Sequence, residues 1–354
     1  MEFKLGEFFC GPGGIALGAI NTQQVSDNRG IKYSVVPNWA TDYDLDTCKT
    51  YGFNIHEDEN SNSVFHNDVK DLDIKSLPNC DGFAFGFPCN DFSIVGQSKG
   101  LDGSFGPLYQ YGIEYLNIHK PKWFVAENVS GIRSSNSGLA FEVILDSMRN
   151  SGYKITPHLY KFEQYGVPQA RHRILIVGIR EEENLEYLVP SPTHLKNQIT
   201  AREAIIHPPI LVDADNHIHT KQSSKVTERL KHIKPGKNAW SEEIPLELRL
   251  KVNGAKLSNI YKRVDPNKPA YTVTGSGGGG THMYHWEENR ALTNRERARL
   301  QTFPDHFKFL GKKDSVRKQI GMAVPPVAAS LIFEAILKTY AKINYDSVQP
   351  NIDK

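Results

Sequence analysis

Cysteine is scarce in this 354-residue chain: Cys10, Cys48, Cys80 and Cys89 are all there is, and no Cys-x-x-Cys pair occurs among them. That scatter argues against a disulfide framework and against a zinc site, so a reduced, cytoplasmic protein is expected. Uninterrupted apolar runs of membrane length are missing. A signal-peptide pattern is missing as well, because Met1-Glu2-Phe3-Lys4-Leu5-Gly6 runs straight into an expected strand. Net charge is nearly absent at +2, and the 39% hydrophobic and 23% charged residues are ordinary for a soluble globular protein. The length exceeds a usual single core, which makes one large domain plus a smaller one the default.

The small net charge hides an asymmetry. Residues 195–268 hold 14 lysines and arginines against 8 acids, and the remainder holds 28 against 32. A basic segment beside a mildly acidic body suits a protein in which one part meets a polyanion and another does chemistry; a solvated surface with a chance excess would look the same. His207, His217, His219 and His232 are scattered through this segment without a ligand spacing. No metal is expected.

Strand and helix patterns alternate from the start. Phe3 to Phe9 reads as a strand ending in Cys10-Gly11-Pro12-Gly13-Gly14-Ile15-Ala16, where glycines allow a tight turn and a helix beginning near Gly14 aims unpaired N–H groups at a ligand. The next strand, Tyr33 to Val36, leads to Asp42 and Tyr43, and a carboxylate there can accept hydrogen bonds from a ribose diol. Gly11-x-Gly13-x-x-Ala16 also satisfies the dinucleotide fingerprint, so any nucleoside cofactor fits this far. After a polar loop from Glu57 to Asn67, Asp68-Val69 opens another unit.

The apolar run Gly82-Phe83-Ala84-Phe85 predicts a buried strand, with Gly86-Phe87-Pro88-Cys89 just past its carboxyl end. A thiol on a proline-stiffened turn at a sheet edge is a candidate nucleophile, and a small buried hydrophobe is the plainer alternative. Residues 93–106 form a polar, glycine-bearing loop long enough to act as a flap over Cys89. Pro121 to Ala126 is another buried strand, ending in Glu127-Asn128-Val129, so a second ionisable group falls at the same sheet edge. Further helices are expected over Leu108 to Asn117 and Leu139 to Asn150, and a strand over Tyr153 to Lys161. Gln169, Arg171 and Arg173 alternate, which in an extended strand places them on one face, suited to phosphate or base edges or to a salt-bridged edge.

From Glu181 the alternation weakens and prolines break the chain into short pieces, indicating a separate irregular domain or insertion. A short strand near Lys268 to Thr274 precedes the glycine run Gly275-Ser276-Gly277-Gly278-Gly279-Gly280. Thr293 and Glu296 predict a capping box on the helix that follows, and a final amphipathic helix spans Val327 to Tyr340.

Taken together, Phe9-x-Gly11-x-Gly13-Gly14, Asp42, Asp68-Val69, Gly86-Phe87-Pro88-Cys89, Glu127-Asn128-Val129, Gln169-x-Arg171-x-Arg173, Arg295-Glu296-x-Ala298-Arg299-Leu300-Gln301 and Gly321-x-Ala323-Val324-Pro325 stand in an order and spacing that cover nearly the whole chain. In this the chain resembles the DNA (cytosine-5)-methyltransferases of bacterial restriction-modification systems. Met322 departs from the family's usual Asn, and Asn90, Phe105 and Pro107 depart near the flap.

The resemblance implies an α/β fold, a Rossmann-like S-adenosylmethionine-dependent methyltransferase sheet with a smaller, irregular target-recognition domain. It divides the chain into a catalytic and cofactor-binding domain (1–180), a target-recognition domain (181–290), a hinge and connecting helix (291–318) and a returning C-terminal segment (319–354). It implies Cys89 as the nucleophile that adds to C6 of a flipped-out cytosine, with Glu127 at N3 and the exocyclic amine, Arg173 at O2, and Arg171 and Asn128 in the same catalytic group. Cofactor contacts fall to Phe9, Gly11, Pro12, Gly13, Gly14, Asp42, Tyr43, Asp68, Val69, Pro88, Leu108 and Ala323, the product being S-adenosyl-L-homocysteine. Double-stranded DNA is the implied partner, with a monomeric enzyme, no membrane, and a cognate restriction endonuclease encoded nearby. The tRNA cytosine-5 methyltransferases share this motif order, and the long basic segment favours DNA. A nicotinamide oxidoreductase would use the glycine turn alone, and an inert DNA-binding protein would not need Cys89.

Overall fold

The computed structural model describes residues 1–87, 108–132, 139–251 and 257–352, which fall into two compact units. The first comprises Met1–Lys161, His172–Pro192 and Pro326–Lys354; the second comprises Phe162–Arg171 and Thr193–Pro325. Through the first unit the chain forms β1 (Glu2–Phe8), α1 (Gly14–Asn21), β2 (Val25–Ser26), β3 (Lys32–Asp42), α2 (Leu45–Ile55), β4 (Val64–His66), β5 (Gly82–Phe85), α3 (Leu108–His119), β6 (Trp123–Val129), α4 (Leu139–Asn150) and β7 (Tyr153–Lys161). Then come β8 (Gln169–Ala170) in the second unit, and β9 (His172–Arg180) and β10 (Val189–Pro190) in the first. The second unit continues with α5 (Ala201–Ile206), α6 (Ser224–Lys231), β11 (Ala270–Tyr271), α7 (Asn294–Leu300) and α8 (Lys313–Met322), and α9 (Pro326–Ala341) and β12 (Ser347–Val348) close the first.

The strands of the first unit lie in the order β2-β3-β1-β5-β6-β9-β7, with β4 on β3. β3, β1, β5 and β6 run parallel, and β9 is antiparallel to both β6 and β7. Parallel neighbours need crossovers, which the intervening helices supply; the antiparallel β9 does not. One face carries Phe8, Trp39, Phe83, Phe85 and Phe124 against Tyr115 of α3 and Phe141 of α4. The other carries Phe3 and Trp123 against Tyr340 and Phe333 of α9. Burial of each such ring contributes roughly 1.5–3 kcal/mol. This is the α/β sheet expected from the alternating pattern. β1 has its sequential neighbours on opposite sides, so the crevice at its carboxyl end is a topological switch point.

The second unit has few ladders. Its core gathers Leu230, Ile233, Ala239, Ile244, Tyr261, Tyr284 and Ala291, and arginines satisfy backbone carbonyls that no strand partner reaches. Every residue of α7 is buried. Arg295 donates to the carbonyls of Asp215, Pro304 and Phe307 at 3.0, 3.0 and 2.7 Å, and Arg299 donates to Asp305 and to the Ile205 carbonyl. The expected capping box of Thr293 and Glu296 is present. Part of the positive charge in 195–268 is therefore turned inward: Arg229 and Arg263 are buried, Arg263 on the carbonyls of Leu230 and Glu288.

The expected row of Gln169, Arg171 and Arg173 on one strand face does not form. The Arg171 N–H donates to the Gln169 carbonyl at 3.0 Å, a tight turn that breaks the strand between β8 and β9. Gln169 is buried on the Leu300 carbonyl and the Gln301 side chain, and Arg171, 1% exposed, donates to the carbonyls of Val273 and Gly321 at 3.1 Å each. Arg171 thus serves the backbone of the second unit, and its guanidinium is not presented to a phosphate. Met322, the residue that departs from the family pattern, is exposed.

Glu7 is a buried acid next to the carboxyl end of β1. Its Oε1 accepts from the Tyr51 hydroxyl at 2.6 Å and its Oε2 has no partner. Burial pushes the carboxyl up to about 8, against the pull of the Tyr51 hydrogen bond. The folded chain therefore holds a proton that the unfolded chain has released above about pH 4.5. Stability contributed by the neutral form is complete below that pH and is lost as pH rises through about 8. Wild-type unfolding free energy is expected to fall by up to about 1.4 kcal/mol per pH unit across this window relative to Glu7→Gln; urea titrations at pH 5 to 9 with parallel pH profiles for the two proteins would contradict it.

Candidate functional site

At the end of β1 the backbone turns through residues with positive φ: Phe9 at 53°, Gly11 at 58° and Gly13 at 98°. Phe9 pays roughly 1–2 kcal/mol for this conformation, the kind of local cost that marks functional turns. Gly13 caps α1 without a side chain, so the first-turn N–H groups have no capping acceptor. A Cβ at Gly13 would lie 3.2 Å from the Tyr51 ring and 3.1 Å from Ile55. Pro12 and Gly14 are buried within the turn. Asp42, the last residue of β3, holds the turn in place: Oδ2 accepts from Gly11 N–H at 3.1 Å and Oδ1 from Asp44 N–H at 3.0 Å. Asp44 in turn caps α2 by accepting from Thr47 N–H at 3.0 Å.

Phe9, Asp42, Tyr43, Asp68, Val69 and Leu108 line one cavity of about 200 Å³. Thr41, Asn67 and Lys70 complete its wall. These three escaped the sequence reading, Asn67 because Glu57 to Asn67 reads as loop. The segment contains β4, paired to β3, and the Asn67 N–H reaches the Asp42 carbonyl at 3.1 Å. The apolar pair Val64-Phe65 was the available signal. Asp68 uses one oxygen to accept from Lys70 N–H at 3.1 Å. A larger groove of about 640 Å³, lined by Arg149, Lys154 and Glu186 among others, includes none of the expected site residues.

A second group of side chains assembles at the same carboxyl edge. Glu127 and Arg173 lie on one face of the antiparallel β6–β9 pair, where Val129 is opposite Arg173 and Glu127 opposite Leu175. Arg173 Nε meets Glu127 Oε1 at 2.8 Å, each side chain 14% exposed. Charge-assisted contact in a partly desolvated setting is stronger than a surface pair. A Cβ on Gly86 would lie 3.4 Å from Glu127 Oε2, so the end of β5 passes directly by the carboxylate. Asn128 is buried; its Nδ2 donates to the Phe87 carbonyl at 3.1 Å and its Oδ1 accepts from Val129 N–H. It is a positioning residue for the β5 exit rather than a group turned to a ligand.

Pro88, Cys89, Asn90 and the expected flap over 93–106, with Phe105 and Pro107, lie outside the described residues. Cys10, Cys48 and Cys80 are described and free. Burial pushes the thiols of Cys48 and Cys80 up to about 12 and raises that of Cys10 well above its ordinary value. None of these three is prepared as a thiolate. Ala323 belongs to the second unit, where its carbonyl accepts from Gln301 Nε2 at 3.3 Å.

Residues 3–338 match the family model described as C-5 cytosine-specific DNA methylase. The chain is 55% identical over 360 residues to Type II methyltransferase M.BbvI of Brevibacillus brevis, covering all of this chain and 96% of that one. It is 39% identical to Type II methyltransferase M.NgoFVII of Neisseria gonorrhoeae, with 88% and 82% covered. Among solved structures, a DNA modification methyltransferase encoded within an E. coli prophage superposes with a TM-score of 0.73 at 22% identity, covering 95% of this chain and 99% of that one. The S. pombe Dnmt2 methyltransferase superposes at 0.60 with 15% identity, covering 95% and 98%, a likeness of fold alone.

The Asp42 geometry carries a stability consequence. In Asp42→Asn an amide N–H₂ must face the backbone N–H of either Gly11 or Asp44. The substitution is expected to lower the unfolding free energy by about 1–3 kcal/mol, and a urea midpoint equal to that of wild type would contradict it.

Proposed function

The chain belongs to the C-5 cytosine-specific DNA methylase family, and on that premise we propose that it transfers the methyl of S-adenosylmethionine to C5 of cytosine in duplex DNA. It is then a type II DNA (cytosine-5-)-methyltransferase that acts as a monomer in the bacterial cytoplasm and protects DNA from a cognate restriction endonuclease. The observation that carries the mechanism is the Glu127–Arg173 pair beside Gly86 and Phe87, two residues ahead of Cys89. The relatives named as type II methyltransferases favour DNA over tRNA.

The cavity at the end of β1 fits the cofactor. Asp42 lines the cavity at the end of the second parallel strand, where a carboxylate suits ribose hydroxyls, and Phe9, Tyr43, Val69 and Leu108 offer apolar and aromatic walls for a purine. The uncapped N–H groups of α1, with Gly11, Pro12, Gly13 and Gly14 leading into them, suit a carboxylate. Asp68 supplies a further acceptor. Pro88 and Ala323 are assigned to the same ligand by family resemblance. When bound, S-adenosylmethionine supplies a methyl group on a sulfonium and leaves as S-adenosyl-L-homocysteine.

In this proposal the Cys89 thiolate forms a bond to C6 of a cytosine turned out of the duplex. Glu127 binds the N3 and exocyclic amine edge, and Arg173 the O2 carbonyl, so electron density pushed into the ring is stabilised where it collects. C5 then accepts the methyl; its proton departs to a base and the Cys89–C6 bond breaks, restoring the aromatic ring and the thiolate. The ion pair between Glu127 and Arg173 holds both groups in place before the base arrives, which limits reorganisation. Residues 181–290 read the sequence context from the major groove, with 291–318 as hinge and 319–354 returning to the catalytic domain.

Bisulfite sequencing of plasmid DNA from cells expressing the protein is expected to show cytosine-5 methylation at one recurring sequence, and none from Cys89→Ala that still binds DNA. Wild-type expression that leaves every cytosine unmodified would overturn the reading. Glu127→Gln is expected to lower kcat by at least about 10²-fold, in line with loss of a general acid, while cofactor affinity in equilibrium binding stays within a few-fold. Equal losses in both would contradict the assigned role.

A further inference from the structure

Beneath the glycine run of the second unit lies a group of cations whose hydrogen-bonding capacity is not filled. Arg297 on α7 is 1% exposed; its Nη2 has no partner and its Nη1 only approaches the Thr274 carbonyl at 3.4 Å. Arg317 on α8 is 9% exposed and its Nε is likewise without a partner. Its Nη1 pairs with Asp314 at 2.8 Å, but that carboxylate is 83% exposed and screened by water. Lys313 stands one turn before Arg317 on the same helix. Burial and the neighbouring Arg317 hold its ammonium below the ordinary value.

Among the described residues, the other polar neighbours do not answer this charge. His282 is driven down to about 4 by burial, with Arg297 and Arg317 adding to the effect, so it is neutral at pH 7. Glu296 is engaged by Arg290 at 2.7 Å, and the Tyr271 hydroxyl donates to the Lys262 carbonyl. Burying guanidinium N–H groups unpaired and next to a like charge is costly. A polyoxygen anion removes both costs at once, accepting from two guanidiniums and neutralising the pair.

A Cβ on Gly277 would fall 2.4 Å from Arg317 Nε, so only glycine lets the loop lie on the guanidinium. Ser276 and Gly278, on either side, are exposed. We propose that Arg297 and Arg317, with Lys313, form a phosphate site behind residues 275–280 that takes one backbone phosphodiester of bound duplex DNA. The assignment rests on the DNA substrate proposed above, since a duplex presents a phosphate wherever this loop meets it. It gives α7 and α8 a role in holding the duplex beside their role in packing.

The test is equilibrium binding of a fluorescent duplex, carrying the sequence found by bisulfite sequencing, across a salt series. Arg317→Gln and Arg297→Met are each expected to reduce the slope of log K against log salt by about one, and the double variant by no more than either alone, because one phosphate is lost. Lys313→Gln, less buried, tests the same slope if Arg297→Met fails to fold. Slopes equal to wild type in folded variants overturn the site. So does stabilisation of the wild type by inorganic phosphate that Arg317→Gln abolishes while the DNA slope stays unchanged, which would mark a free-anion site instead. Absence of any duplex binding by the wild type would overturn the DNA reading itself.

Discussion

The contact on which the candidate site at the sheet's carboxyl edge depends is the 2.8 Å pair between Arg173 Nε and Glu127 Oε1. It exists because β9 enters the sheet antiparallel beside β6, in the register that sets Val129 opposite Arg173. A slip of one residue would turn Arg173 to the other face and strand Glu127 as a partly buried, unpaired carboxylate. The same strand has a second support. Asn128, between the acid and Val129, ties the Phe87 carbonyl and so fixes how β5 exits toward Cys89. One short segment, Glu127-Asn128-Val129, therefore orients a guanidinium and also holds the Phe87 carbonyl.

Arg171 and Arg173 show how little sequence spacing says about use. Two residues apart, they lie in different units: Arg173 meets a carboxylate, whereas Arg171 is closed over by backbone carbonyls. The tight turn at Ala170 separates them. More generally, the second unit builds itself from arginines where the first builds itself from strands. With few ladders, its carbonyls need donors, and a guanidinium with five N–H groups can serve several at once. Part of the basic composition there, Arg229 and Arg263, reports internal construction. Arg297 and Arg317 are buried like the others, and each has a donor without a partner.

Much of the first unit was legible from residues alone because each element carried agreeing local signals. The apolar run Gly82 to Phe85, the glycine turn after β1 and the apolar stretch ending at Glu127 each fixed a strand end, and parallel pairing brought those ends to one edge. Six of the expected cofactor contacts line one cavity for that reason. What was not legible depends on partners distant in sequence. Nothing around Glu7 marks it as a buried acid bonded to Tyr51, 44 residues away. Asn67 looked like loop because β4 is three residues long and is held by pairing to β3. The inward turn of Arg171 needs Val273 and Gly321, which only tertiary structure supplies.

The central claim is that the thiol after the Asn128-anchored strand exit is the one that bonds to cytosine, and that the buried thiols of Cys10, Cys48 and Cys80 are bystanders. Intact-mass and peptide-mapping spectrometry of the wild-type protein incubated with cofactor and a duplex bearing 5-fluorocytosine at its target position addresses this directly. The account predicts a single nucleotide adduct on the peptide containing Cys89. An adduct on a peptide containing Cys10, Cys48 or Cys80, or no adduct on a duplex whose normal cytosine is methylated, would contradict it.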